Sequence, residues 1–203
     1  MQNALPVTTS ILLDLLRDES RPEGWQDFTA RYWPVLCGFA LKLGLSEADA
    51  ADAAQQTLAD FLREFREGRY VRERGRLSSY ILGIARNRVL RLRTEARRRS
   101  RRIVDQAADV DDTPDEQTLS IVWESERRRV ILEQALEELR TSDRLDSRTL
   151  SAFELVALRG VTAEEAAAQS GLSVDAVYLA RHRCTKRLRE IAERLTAAWD
   201  EDA

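Results

Sequence analysis

Asp49, Asp52, Gln56 and Asp60 recur at i, i+3, i+7 and i+11, a spacing that lines carboxylates and an amide along one face of a helix. Paired carboxylates can hold a metal or trade protons, but either chemistry needs a histidine or cysteine at ligand spacing, a nucleophile beside a base, or a glycine-rich loop. None accompanies this strip. The single histidine, His182, has no carboxylate or nucleophile at a supportive spacing, and Cys37 and Cys184 fall in no CxxC or CxH pattern. No P-loop, nucleophile elbow or zinc spacing occurs. The expectation is a protein without catalytic residues, metal or cofactor, whose carboxylate strip is a protein-binding edge or a solvated face.

A second group could do chemistry of recognition. The segment Arg69-Tyr70-Val71-Arg72-Glu73-Arg74-Gly75-Arg76-Leu77, followed by Tyr80, Asn87, Arg88, Arg91 and Arg93, combines cations, aromatics and an amide. Arginines attract a phosphate backbone, an aromatic-bearing loop can hold an unstacked base, and an asparagine amide can read an adenine edge. Between Arg63 and Arg102 there are fifteen arginines against four glutamates, a net of +11. Arg97, Arg98, Arg99, Arg101 and Arg102 would clamp phosphates of any sequence.

The third group lies near the C-terminus. Thr162 with Glu165 forms a capping box, Gly171 is placed for the left-handed residue of a tight turn, and Ser173 caps the helix that follows. This is a helix-turn-helix pattern. Along the second helix Val177, Cys184, Leu188, Ile191 and Leu195 share an apolar face, with Tyr178, Arg181, His182, Thr185 and Arg189 opposite and Arg183 and Lys186 beside them. Such a helix suits a major groove; a solvated basic face on a bundle is the plainer alternative. Cys184 and Cys37 read as small packed hydrophobes.

The elements that must position these groups are helices. Trp25, Phe28, Tyr32, Leu36, Phe39 and Leu43 recur at three and four residues, with Pro34 placed to kink or divide the pattern. Ser46 caps a helix over about Glu47 to Phe65, and a long helix is expected from about Ser78 to Arg102. Leu132, Leu136 and Leu139 mark one helix beyond, and Leu150, Phe153 and Ala157 another. No segment alternates as a strand.

Between these halves, Ile103 to Glu126 carries eight acidic residues and no basic one, which reads as an extended or disordered linker. The reading is all-α: an N-terminal arm over 1–22, a helical domain over 23–102, an acidic flexible linker over 103–126, a second helical domain over 127–198, and a tail over 199–203. The 203 residues carry a net charge of -3, which excludes a uniformly basic nucleic-acid coat but conceals the opposed blocks. The N-terminus lacks a basic leader and a membrane-length apolar run, so a cytoplasmic protein is expected.

At this point the chain resembles the extracytoplasmic-function (group IV) sigma factors of bacterial RNA polymerase. Gly44 through Gln56 is similar to that family's "DAEDxxQ" helix of region 2, with Ala51 where a glutamate is usual. Arg74 through Asn87 resembles its "rGxFxxWLxxIArN" segment, with Leu77, Tyr80 and Ile81 replacing Phe, Trp and Leu. Leu172-Ser173 through Val177, with Arg183, Leu188 and Arg189, resembles region 4.

The resemblance implies roles. Asp49, Asp52, Gln55 and Gln56 would dock on the clamp helices of the polymerase's largest subunit, and region 4 would meet the flap of the second-largest. Arg72, Arg74, Arg76, Leu77, Tyr80, Asn87, Arg88 and Arg91 would bind the minus-ten element, the Arg72 to Leu77 loop capturing a flipped base. Ser173, Tyr178, Leu179, His182, Arg183 and Lys186 would bind the minus-thirty-five element. The acidic linker would thread near the active centre and the RNA exit path.

Two departures, Tyr178 where Lys or Arg is usual and Ala180 where Arg is common, imply an altered upstream preference. With Ala51 removing one carboxylate from the polymerase edge, a Ser/Thr kinase acting on Thr57 would restore charge. An anti-sigma factor is a further expected partner. The competing reading is a free-standing dimeric helix-turn-helix regulator; an enzyme acting on nucleic acid is remote.

Overall fold

The computed structural model describes residues 9–18, 22–101, 114–142 and 145–200. Among these residues the chain is all-helical, without strands. Eight α-helices follow in order: α1 (Thr9–Arg17), α2 (Pro22–Lys42), α3 (Glu47–Arg66), α4 (Leu77–Arg101), α5 (Glu116–Arg140), α6 (Ser147–Ala157), α7 (Ala163–Ser170) and α8 (Val174–Asp200). A single 3-10 turn, Arg72–Arg74, lies between α3 and α4.

The helices divide into two compact units. The first holds residues up to Val130 together with those from Ala198 onward, and the second runs from Ile131 to Ala197.

In the first unit α2 packs on α1 and α3, and α3 on α4. Phe28, Tyr32, Leu36 and Phe39 of α2, Ala53, Leu58 and Phe61 of α3, and Leu77, Ile81, Ala85 and Val89 of α4 are buried, so the helical periodicity of the sequence marks the core. Pro34 does not divide α2 in two; the helix runs through it, and the carbonyl its ring deprives of a partner belongs to Ala30, an exposed residue. At the end of α2, Gly44 takes φ +86°, Leu45 N–H donates to Ala40 O and Gly44 N–H to Leu41 O, a Schellman close. Ser46 then accepts from the Asp49 N–H and starts α3 as expected.

The N-terminal arm is part of this unit. Leu12, Leu13 and Leu16 of α1 are buried. Gly24 permits the close approach, because a Cβ there would stand 2.7 Å from Leu15 Cβ and 2.8 Å from its carbonyl carbon. Residues at the far end of the chain complete the same core. Trp199 is 4% exposed, its ring 5.3 Å from that of Tyr32 and beneath the Arg31 guanidinium at 5.3 Å. Thr9 Oγ1 donates to Ala198 O at 3.2 Å.

The expected acidic linker requires correction over its second half. Residues 116–126 are the first three turns of α5, not an extended segment. Leu119 and Trp123 are buried, and Trp123 meets Phe39 edge to face at 5.7 Å. Glu126, 2% exposed, is paired with Lys42 Nζ and Arg129 Nε, each at 2.8 Å. Burial pushes its carboxyl up, but the two cations outweigh that and hold it below the ordinary carboxylate range. Gly38 makes the room, since a Cβ there would fall 1.9 Å from Glu126 Oε2. The acidic stretch from Asp105 to Asp112 lies outside the described residues.

The second unit is built from the rest of α5, α6, α7 and most of α8. Asp146 caps α6 by accepting from the Arg148 and Thr149 N–H groups. One cluster joins Ala152, Leu155, Ala166, Val177 and Ala180; another joins Ala135, Leu139, Phe153, Cys184 and Ile191. The Arg140 to Glu154 pair at 2.7 Å ties α5 to α6.

Candidate nucleic-acid and protein-binding surfaces

Within α3 the carboxylate strip separates into two parts. Asp52 and Gln55 are exposed and Asp49 and Gln56 half-buried, with Gln56 Nε2 donating to Asp52 Oδ2 at 2.7 Å. These four residues form one polar edge over the first half of the helix. Asp60 does not join it. Its carboxylate accepts from Arg63 at 2.7 Å and from Arg88 of α4, fastening the two helices. Burial raises the Asp60 carboxyl, yet Arg88 and Arg63 together hold it below its ordinary value. Thr57, expected to be open to a kinase, is 1% exposed and donates to Ala53 O at 2.7 Å, so the structure removes it as a modification site.

The loop between α3 and α4 presents its cations and hides its rings. Arg72, Arg74 and Arg76 are exposed, and Arg72 Nη1 donates to Ser10 Oγ of α1 at 2.7 Å. Tyr70 is 8% exposed; its ring sits among Phe61, Phe65 and Tyr80, and its hydroxyl donates to Gly75 O at 3.3 Å. The aromatic expected to hold a base therefore holds the loop. Leu77 is fully buried, so the structure corrects its placement among the DNA contacts: it anchors the start of α4. Tyr80 is half-buried and donates to Glu64 Oε2 at 2.6 Å; burial and the Glu64 carboxylate push its phenol up to about 12.

Along α4, Asn87 and Arg91 are exposed, and Arg91 meets Glu95 at 3.0 Å one turn on. Arg88 is turned inward to Asp60 and is a positioning group in this structure. Arg86 reaches Glu116 at 2.6 Å, so part of the basic block is balanced within the protein. The side chains of Arg97 to Arg102 lie outside the described residues.

In the second unit the helix-turn-helix stands as its capping residues direct. Thr162 and Glu165 form the capping box, Gly171 takes φ +69° at the turn, and Ser173 Oγ accepts from the Ala176 N–H at the start of α8. Tyr178 and Leu179 are 54% and 55% exposed, and Ser173, His182, Arg183 and Lys186 are exposed too. Ala180 is 4% exposed inside the core cluster, which accounts for its small side chain. Cys184 is buried; desolvation raises its thiol, and the Asp146 carboxylate adds to the effect.

Residues 28–102 match the family model described as Sigma-70 region 2. That stretch takes in most of α2, all of α3, the arginine loop and α4. No match was found among curated proteins or among solved structures. The first unit's helices from Phe28 onward thus resemble a sigma-70 region 2 domain. No helix among the described residues is long and apolar enough to cross a membrane.

Proposed function

We propose that this protein is an alternative sigma factor of the extracytoplasmic-function type, which binds core RNA polymerase, recognises two promoter elements and melts DNA between them. The observation that carries the reading is the region 2 match over the very helices that bear the polar α3 edge and the arginine loop. Asp49, Asp52, Gln55 and Gln56 dock on the clamp helices of the largest subunit. Arg72, Arg74, Arg76, Asn87 and Arg91 engage the minus-ten element, while Leu77, Tyr80 and Arg88 hold that surface in shape. The α8 face of Tyr178, Leu179, His182, Arg183 and Lys186, started by Ser173, reads the minus-thirty-five element. Melting draws on binding energy, since extruding a base costs a few kcal/mol that contacts to the single strand must offset.

The test is run-off transcription by core polymerase, with and without this protein, on a promoter library. The expected result is promoter-dependent initiation only with the protein present, lost in Asp52→Arg because the variant no longer binds core. Tight binding of a palindrome by the protein alone, without initiation on a competent core, would instead establish a dimeric regulator.

A further inference from the structure

Arg86 lies beside exposed Asn87 on α4, yet outside the group proposed to meet DNA. Its Nη1 donates at 2.6 Å to Oε1 of Glu116, a carboxylate thirty residues further along the chain in the first turn of α5. The acids that hold neighbouring arginines of α4 are of other kinds. Arg88 is held by Asp60, which is 18% exposed, shared with Arg63 and part of the fastening between α3 and α4. Arg91 is held by Glu95 of its own helix. Glu116 comes from a distant segment and its side chain is 81% exposed, against 38% for Arg86.

An ion pair with one member almost wholly in water contributes little to a fold. Nor does this carboxylate use the guanidinium's fork, because it engages Nη1 while Arg86 Nε, buried, has no hydrogen-bond partner among the described residues. Arg86 is thus a half-used grip on an oxyanion, held in position by its own partial burial. The charges of the two stretches say which oxyanion it suits. The +11 block from Arg63 to Arg102 attracts a polyanion, and Glu116 belongs to the run between Ile103 and Glu126 that has eight acidic residues and no basic one.

On the reading of α4 as a DNA-binding helix, we infer that Arg86 is a further phosphate contact, and that Glu116 stands in for the phosphate until DNA arrives. The exchange breaks one charge-assisted hydrogen bond and makes another, and the displaced carboxylate is left in water, so neither state buries an unpaired charge. Its consequence is selectivity. A nucleic acid must compete with the chain's own carboxylate, and casual binding is weakened according to the fraction of time that Arg86 is covered.

The full chain is titrated with a fluorescent single strand of about twenty bases of mixed sequence, as wild type, Glu116→Gln, Arg86→Gln and the double variant, at about 50 and about 500 mM salt. Glu116→Gln should bind about fivefold tighter than wild type at low salt and within about twofold of it at high salt, where the competing pair is screened. Arg86→Gln should bind more weakly than wild type, and adding Glu116→Gln to it should change affinity by less than about twofold. Unchanged affinity in Glu116→Gln overturns the inference. So does a gain that persists in the Arg86→Gln background, which would mark Glu116 as a general repulsive charge. Failure of wild type and every variant to bind the strand, alone and with core polymerase, would overturn the DNA-binding reading of α4 itself, and the exchange with it.

Discussion

The pair between Asp60 and Arg88 takes two groups that the sequence offers for binding and uses them to fasten α3 to α4. Because Asp60 titrates below its ordinary value when folded, the unfolded chain binds its proton more readily. The contribution is therefore complete above the unfolded carboxylate value near about 4, and fades as pH falls through the lower folded value. Asp60→Asn should cost on the order of 1 kcal/mol at pH 7, with the gap to wild type closing toward pH 3, as measured by urea unfolding at both. On the second unit, Tyr178 projects from α8 with more than half its area in water and no part in the core. Tyr178→Ala should leave thermal stability within about 0.5 kcal/mol of wild type, while selection from an upstream-element library shifts and affinity for core does not.

Among the elements, those with capped ends were legible in the sequence. Ser46, the Thr162 and Glu165 box, Gly171 and Ser173 state where α3 begins, where α7 begins and ends, and where α8 begins, and the structure finds them there. The first turns of α5 were not legible, because Glu126 interrupts the apolar series of Leu119, Trp123 and Val130 with a charge. Only the fold supplies Lys42, Arg129 and the space above Gly38 that make a buried carboxylate tolerable. The inward turn of Tyr70, Leu77 and Arg88 was hidden for a like reason: aromatic, aliphatic and cationic residues read alike in sequence whether they face a ligand or a neighbouring helix. Placement of α1 depends on contact with Gly24, which spacing cannot reveal. Gly24→Ala should push α1 off α2, lower stability by about 1–3 kcal/mol, and expose the α1 amides to hydrogen exchange ahead of those of α3.

On the scale of the molecule, the chain order of the segments differs from their grouping in space. The first unit takes residues up to Val130 and then, after the whole second unit, Ala198 to Asp200. Trp199→Ala removes a ring packed on Tyr32 and Arg31 and should cost about 3–5 kcal/mol, read as a lowered transition of the first unit with the second unchanged. A ribosome makes a chain from its N-terminus at about 5–20 residues per second, so on the order of ten seconds separates the appearance of Tyr32's helical partners from that of Trp199. During that interval the nascent first unit has an uncovered aromatic site on α2. Its final packing waits for the end of α8, so the polar α3 edge and the arginine loop gain their full support only after the whole second unit has been made.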